Sequence, residues 1–358
     1  MLSLGEELNL RELCGEEKST ENVLIYKNIK RKVPWVEKYR PKKLKDIIHQ
    51  TEIIEILNKV VTTGKLQHMI LYGPAGSGKT SVALAIAKEL FGSATDRVFE
   101  LNASDSRGIN IVRTQIMNFA KLAVGTNDPN CKLLPYKMII LDEADAMTTE
   151  AQDALKKIIE DYSHVTRFCF ICNYIDKILE PIKSRCVPLR FKSIGNESMI
   201  TRLMYIADKE KLKIKKNIIK KIADISKGDM RAAIMTLQNL KYTNQLTKIS
   251  IDDVCDISGC VPNSVVNTFT KICFSHNKNF SEIINSAKYI KSLGYPIDNI
   301  IEKLQHNIIY NEKLSDINKA MISMHFSKIK KRLIHNGNDY LQLLSVAMYI
   351  KNVIIQLI

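Results

Sequence analysis

The run Gly73-Pro-Ala-Gly-Ser-Gly78-Lys79-Thr80 matches G-x-x-x-x-G-K-[ST] at every position. Its chemistry is phosphate binding. Glycines at this spacing let backbone N–H groups turn inward around an anion, and a helix opening at Lys79 adds the positive end of its dipole. Lys79 would reach the β- and γ-phosphates of ATP, and the Thr80 hydroxyl would ligate Mg²⁺. Pro74, Ala75, Gly76, Ser77 and Ser81 complete the cradle. A strand pattern leads in at Met69 to Tyr72 and an amphipathic helix leads out, a context that a plain glycine turn does not need.

A second run, Met138-Ile-Ile-Leu-Asp142-Glu143-Ala-Asp145, supplies the acids. A buried strand that ends in carboxylates sets Asp142 at the sheet's C-terminal edge beside the loop, where it can hold Mg²⁺. Glu143 suits polarising a water for hydrolysis, while Asp145 reads as a solubilising cap. Asn173 follows the apolar run Arg167 to Cys172 at the same edge, and its neutral amide can hydrogen-bond the γ-phosphate or the water.

These side chains need a sheet to bring them together. Short β-rich runs occur at Met69 to Tyr72, Arg97 to Leu101, Lys137 to Leu141 and Arg167 to Cys172. Helical stretches lie between them, such as the one carrying Val82, Ile86 and Leu90 on one face. Strands that are nearly all apolar and spaced by helices predict an α/β parallel sheet covered on both sides. After Phe191 the strand signals fade. Residues 196 to about 246 and then 251 to 358 read as helical.

The chain has 358 residues, of which 45% are hydrophobic and 25% charged. That composition excludes a disordered chain, a collagen-like repeat and a disulfide-stapled miniprotein. No uncharged apolar run approaches the ~18 residues that cross a bilayer, and Met1 leads into polar Gly5-Glu6-Glu7. The expectation is a soluble intracellular chain with no membrane. Lys+Arg of 53 against Asp+Glu of 38 leaves a charge of +15, which favours polyanionic partners, although lysine-rich usage also follows from a biased genome. Glutamates at 6, 7, 12, 16, 17 and 21 precede the basic cluster Lys27, Lys30, Arg31 and Lys32, which reads either as a nuclear-import signal or as a solvated tether. Cys169 and Cys172 form a C-x-x-C, but three residues apart on a strand their side chains point to opposite faces, so they read as core thiols and not as a zinc pair.

Asp142-Glu-Ala-Asp145 after a strand, with the later Asn173 and a helical unit beyond, resembles the AAA+ ATPases. Further segments are narrower. Val33-Pro-Trp-Val-Glu-Lys-Tyr-Arg-Pro41, Leu101-Asn-Ala-Ser-Asp-Ser-Arg-Gly108, Ser184-Arg185-Cys186 and Gly228-Asp-Met-Arg231 resemble the small subunits of replication factor C, the eukaryotic sliding-clamp loader. The similarity runs from about residue 33 to 240 and continues more weakly to the end. Asn118-Phe-Ala and Arg167-Phe-Cys-Phe-Ile-Cys-Asn-Tyr174 are similar to the small subunit called four in the animal complex.

The resemblance implies an AAA+ core over 33–192, a helical lid over 193–248 and an all-α collar and oligomerisation domain over 249–358, after a flexible extension at 1–32. It implies that Val36 and Arg40 contact the nucleotide, that Asn173 is the first sensor and Arg231 the second, and that Arg185 acts as an arginine finger on a neighbour's ATP. Arg107 and Arg113, with Lys121 behind them, are its candidates for tracking duplex phosphates. In that reading Val112, Ile116 and Ala120 face the sheet, while Arg113, Met117 and Lys121 share another face. The partners implied are the other subunits of a heteropentamer, the sliding clamp and primer–template DNA, in the nucleus. Three positions depart from the family pattern: Pro-Ala-Gly-Ser stands in the loop for Pro-Pro-Gly-Thr, Ser106 for an acid, and Lys156-Lys157 for an Arg-Arg pair that would offer a rigid bidentate fork. The rival reading is a homo-oligomeric AAA+ motor such as a branch-migration helicase, against which Ser184-Arg-Cys argues. A scaffold that does not use its nucleotide, and a basic DNA-binding protein without ATP chemistry, come behind it.

Overall fold

The computed structural model describes residues 33–92, 94–103, 109–122, 135–243, 249–275, 280–312 and 314–355, without the side chains of 95, 109–113 and 355. They fall into two compact units, one ending at Arg40 and one running from Pro41. In the first, the single turn α1 (Trp35–Lys38) sets Trp35 edge-on to Tyr39, and Arg40 pairs with Glu37.

The second unit starts with α2 (Thr51–Thr63) and then enters a five-stranded sheet. Its strands are β1 (Met69–Tyr72), β2 (Val98–Asn102), β3 (Lys137–Asp142), β4 (Thr166–Cys172) and β5 (Val187–Arg190). Their order is β2-β3-β4-β1-β5, and every pairing is parallel. Parallel neighbours need crossovers, and the helices α3 (Lys79–Phe91), α4 (Ile109–Lys121), α5 (Thr149–Tyr162) and the short α6 (Glu180–Lys183) occupy them.

Alternation along the strands sorts the core into two layers. Met69, Leu71, Met138, Ile140, Cys169 and Ile171 face α3, where Val82, Ile86 and Leu90 lie. Ile70, Ile139, Leu141, Phe168, Phe170 and Cys172 face the opposite side, where Ile116 and Ala120 of α4 and Leu155 and Ile158 of α5 pack. Cys169 and Cys172 therefore lie on opposite faces as buried free thiols, and their burial raises both pKa values, that of Cys172 to about 12. Among the described residues no cluster of His, Cys, Asp or Glu is arranged to hold a metal by itself.

The expected strands are present, and β5 is an addition. Its sequence Val-Pro-Leu-Arg carries a proline and only one buried position, Leu189, so it lacks the buried apolar run of β1, β3 and β4. An edge strand tolerates Pro188 because one side of it makes no ladder. Met117, expected on the outer face of α4, packs partly against the inner layer with Ile116.

Beyond β5 the chain is helical. The helices α7 (Asn196–Lys209), α8 (Lys216–Ser226) and α9 (Met230–Thr243) turn Met199, Leu203, Ile206, Ile218, Ile222, Ile234 and Leu237 inward. The short α10 (Ile251–Ile257), opened by a Ser250/Asp253 capping box, packs on α8 and α9. A separate core joins α11 (Asn263–Phe274), α12 (Phe280–Ser292), α13 (Ile297–Ile309), α14 (Asp316–Ile334) and α15 (Asp339–Ile355) around Phe269, Ile300, Phe326 and Val346. Among the described residues no helix is long and apolar enough to cross a membrane.

Candidate functional site

β1 and β4 end level, Tyr72 opposite Cys172, so the loop after Tyr72 and the residue after Cys172 emerge side by side. Lys79, the first residue of α3, is only 7% exposed. Its Nζ donates to the Gly73 carbonyl at 2.8 Å, the Pro74 carbonyl at 2.8 Å and Asn173 Oδ1 at 2.9 Å. Burial holds its pKa below the ordinary lysine value, opposed by the nearby Asp142 charge and assisted by Arg231. Among the described residues no carboxylate pairs with this ammonium directly. A buried cation held only by neutral oxygens lacks a counter-ion, and an anion bound in the loop supplies one.

Two glycines set the shape of that loop. Gly73 has φ +145°, and a Cβ there would lie 2.3 Å from the Phe191 carbonyl. This close approach is secured where Phe191 N donates to the Tyr72 carbonyl at 2.7 Å. Gly76 has φ +65°, and a Cβ there would lie 1.8 Å from Asp229 Oδ1. Asp229 caps α9, accepting from Arg231 N at 2.8 Å and Ala232 N at 3.1 Å. Met230 N also donates to the Gly76 carbonyl at 3.4 Å. The helical unit thus rests on the phosphate loop and brings Arg231 to it.

The Thr80 hydroxyl donates to Asp142 Oδ2 at 2.8 Å. A hydroxyl and a carboxylate so placed fit Mg²⁺, which binds through one or two protein oxygens together with phosphate oxygens. The other oxygen of Asp142 accepts from Glu143 N at 2.9 Å. Glu143 sits in the left-handed region with φ 54°, and its exposed side chain has no partner among the described residues. Its carboxylate is therefore available to a water.

Asp145 does more than solubilise the strand end. Its Oδ2 accepts from Asn173 N at 3.2 Å and Tyr174 N at 3.3 Å, which fixes the turn that presents Asn173. The sequence signal was present, an acid three residues after Asp142, but nothing local shows which backbone it meets. A cavity of 660 Å³ opens between the loop at Gly73 to Ala75, Asn173 and Tyr174 after β4, and Arg190 to Ser193 after β5. Gln50 anchors that last wall, donating to the Lys192 carbonyl at 2.7 Å and accepting from Lys192 N at 3.3 Å. Neither the β5 wall nor Gln50 was foreseen, because the strand that places them has no apolar run.

Comparison with known proteins agrees with this geometry. Residues 69–193 match the ATPase family associated with various cellular activities (AAA), 201–241 the RCF1/5-like AAA+ ATPase lid domain, and 261–349 the replication factor C C-terminal domain. Replication factor C subunit 4 of Arabidopsis thaliana is 44% identical over 88% of this chain and 93% of its own length. The chain belongs to the replication factor C family. Replication factor C subunit 4 of Homo sapiens is 38% identical, covering 88% of this chain and 86% of its own. A variant of Thermotoga maritima RuvB, at 18% identity and a TM-score of 0.51 over 70% of this chain and 85% of that one, shares the fold alone.

As a replication factor C small subunit, the chain is a nucleotide-binding AAA+ ATPase with an α/β core, a helical lid and a C-terminal all-α domain. The structure brings together Lys79, Thr80, Asp142, Glu143, Asn173 and Arg231. Arg185 lies elsewhere, after α6, where Nη2 donates to Glu160 Oε1 at 2.6 Å and Nη1 to the Pro181 carbonyl at 2.7 Å. Val36 lies in α1 and Arg40 two residues beyond it, in the N-terminal unit. Lys121 is exposed at the end of α4, Arg113 lies within that helix, and Arg107 is outside the described residues, as are Ser106 and residues 1–32.

Proposed function

We propose that the chain is an ATP-binding and hydrolysing subunit of the replication factor C clamp loader, which opens the sliding clamp and loads it onto primer–template DNA. The observation that carries this reading is Lys79, a buried ammonium held by Gly73, Pro74 and Asn173 with no carboxylate paired to it among the described residues. Full-length relatives named as replication factor C subunits support the assignment to that complex.

In this reading the loop from Gly73 to Ser81 cradles the phosphates, and Lys79 neutralises them. Mg²⁺, held by Thr80 and Asp142, supplies electrostatic stabilisation of the charge that develops on the transferred phosphoryl group. Glu143 orients the attacking water and accepts its proton. Asn173, fixed by Asp145, holds that water or the γ-phosphate, and Arg231 approaches the phosphates from the lid. Val36 and Arg40 contact the nucleotide from the N-terminal segment. Arg185 is directed outward toward a neighbouring subunit's ATP, which ties hydrolysis to assembly.

The division into 33–192, 193–248 and 249–358 assigns these tasks in turn to core, lid and collar, and the collar joins sister collars in a heteropentamer. Arg107, Arg113 and Lys121 track duplex phosphates in the chamber. The site of action is the nucleus. The experiment is to capture the tagged chain from its own cells at moderate salt and determine partners and stoichiometry. Four distinct related ATPase subunits are expected. A homohexamer without related partners would sink the clamp-loader reading and favour the branch-migration motor.

A further inference from the structure

The lid carries a concentration of charge that the nucleotide site does not use. Between the end of α7 and the second turn of α8, Lys211, Lys213, Lys215, Lys216 and Lys220 are all exposed. None of them makes an ion pair or side-chain hydrogen bond among the described residues. α8 has no acidic residue in its first turn, where Lys215 and Lys216 stand. The acid within the run, Glu210, is taken up from behind by Lys241 at 2.9 Å and is only 9% exposed. Asp224, further along α8, is engaged by Asn196 at 2.9 Å. Asp208 is the exposed carboxylate that borders the run.

On α7, Arg202 and Lys209 lie over the ring of Tyr205, at 5.3 and 5.7 Å from its centroid, and extend the same positive end of the lid. Like charges gathered without counter-ions repel one another, and an external polyanion relieves that repulsion. We infer that this lysine corner of the lid is a docking surface for the phosphate backbone of duplex DNA.

Three features favour the duplex. Lysines are point charges on flexible stems, suited to following phosphates and not to reading bases. The exposed ring at the corner, Tyr205, is already engaged by two cations, so the surface offers no open platform on which unpaired bases stack. Duplex DNA has the higher charge density, and neutralising it releases more counterions per contact than a single strand does. The surface belongs to α7 and α8 and not to α4 with its chamber candidates, and the inference holds whether or not those residues contact DNA.

The test compares the full chain with two variants of equal charge loss. One replaces Lys211, Lys213, Lys215 and Lys216 with Gln. The control replaces Lys328, Lys330, Lys331 and Arg332 of α14 with Gln. Binding to a fluorescent duplex is read by anisotropy from 50 to 200 mM salt, with folding checked by thermal melting and ATP binding measured in parallel. The lid variant is expected to lose at least ~10-fold in affinity at low salt and about 3 to 4 in the slope of log K against log salt. The control is expected to keep both, and ATP binding is expected to be unchanged in either. Equal losses in the two variants would show net charge at work and overturn the inference, as would no loss in the lid variant. Competition by a single strand or by polyglutamate as effective as that of duplex, per charge, would overturn it too. If the fourfold variant melts early, Lys211→Gln/Lys213→Gln and Lys215→Gln/Lys216→Gln are each expected to show about half of that change in slope, and an unchanged slope in both overturns it.

Discussion

Gly76 and Asp229 are in contact: a single Cβ on Gly76 would fall 1.8 Å from Asp229 Oδ1. One residue belongs to the phosphate loop and the other caps the lid helix that carries Arg231, so the glycine is what allows the lid to rest on the loop. Gly76→Ala is therefore expected to push the lid away and to strain a backbone at φ +65°. The expected result is a loss of ATP affinity of about tenfold or more, equivalent to about 1.4 kcal/mol, with Tm lowered by only a few degrees. Titration calorimetry with ATP checks it, and unchanged affinity would remove the lid from the binding site.

Lys79→Ala deletes the donor shared by Gly73, Pro74 and Asn173. ATP binding by this chain is expected to disappear. Folding is expected to survive, because the change removes a buried charge together with its desolvation cost. Fluorescent-nucleotide binding and a melting curve on the same sample measure both halves.

Arg185 is held by Glu160 and the Pro181 carbonyl, away from Lys79's loop. Arg185→Ala is expected to leave this chain's own ATP affinity unchanged and to slow turnover at the neighbour's site by about 10³-fold. If the assembled complex kept its full DNA-stimulated ATPase activity, the trans role would be wrong.

Asp145→Ala releases the N–H groups of Asn173 and Tyr174. Because Asp145 positions Asn173 and does not itself line the loop, kcat is expected to fall more than KM rises, by roughly tenfold. Asp145→Asn keeps an acceptor and is expected to restore part of the rate. Steady-state kinetics of the assembled complex separates the two parameters.

His68 gives the fold a pH dependence. Its Nδ1 accepts from Phe168 N at 3.1 Å, and burial with the nearby Arg167 charge lowers its pKa to about 4. The neutral ring is bound in the folded chain while the unfolded chain takes up a proton below about 6.5. Its contribution is therefore complete above pH 6.5 and is lost as pH falls from about 6.5 toward 4. Tm of the wild type is expected to drop more across that window than Tm of His68→Asn. Parallel curves would exclude His68 as the source.

The sequence determined the parts whose chemistry is local. A phosphate loop is specified by its own glycines and the lysine that follows. Four strands announce themselves as apolar runs, and Asp142, Glu143 and Asn173 stand at their ends because a strand's last residue can be read from its pattern. Period-2 alternation also placed Cys169 and Cys172 on opposite faces, as found.

Tertiary structure decided what depends on contacts between distant residues. β5 exists because β1 offers Val187 to Arg190 a free edge, a partner that Val-Pro-Leu-Arg does not announce by itself. Asp145 is an anchor only because β3 and β4 lie side by side. Met117 turns partly inward because α4 packs on the sheet at an angle its own periodicity does not set. Gly76 meets Asp229 across more than a hundred and fifty residues of chain, and the Gln50 brace on Lys192 spans almost as many. Local propensity carries no information on which segments come together, because that choice is made by burying the two faces of the sheet and the inner faces of the helices at once.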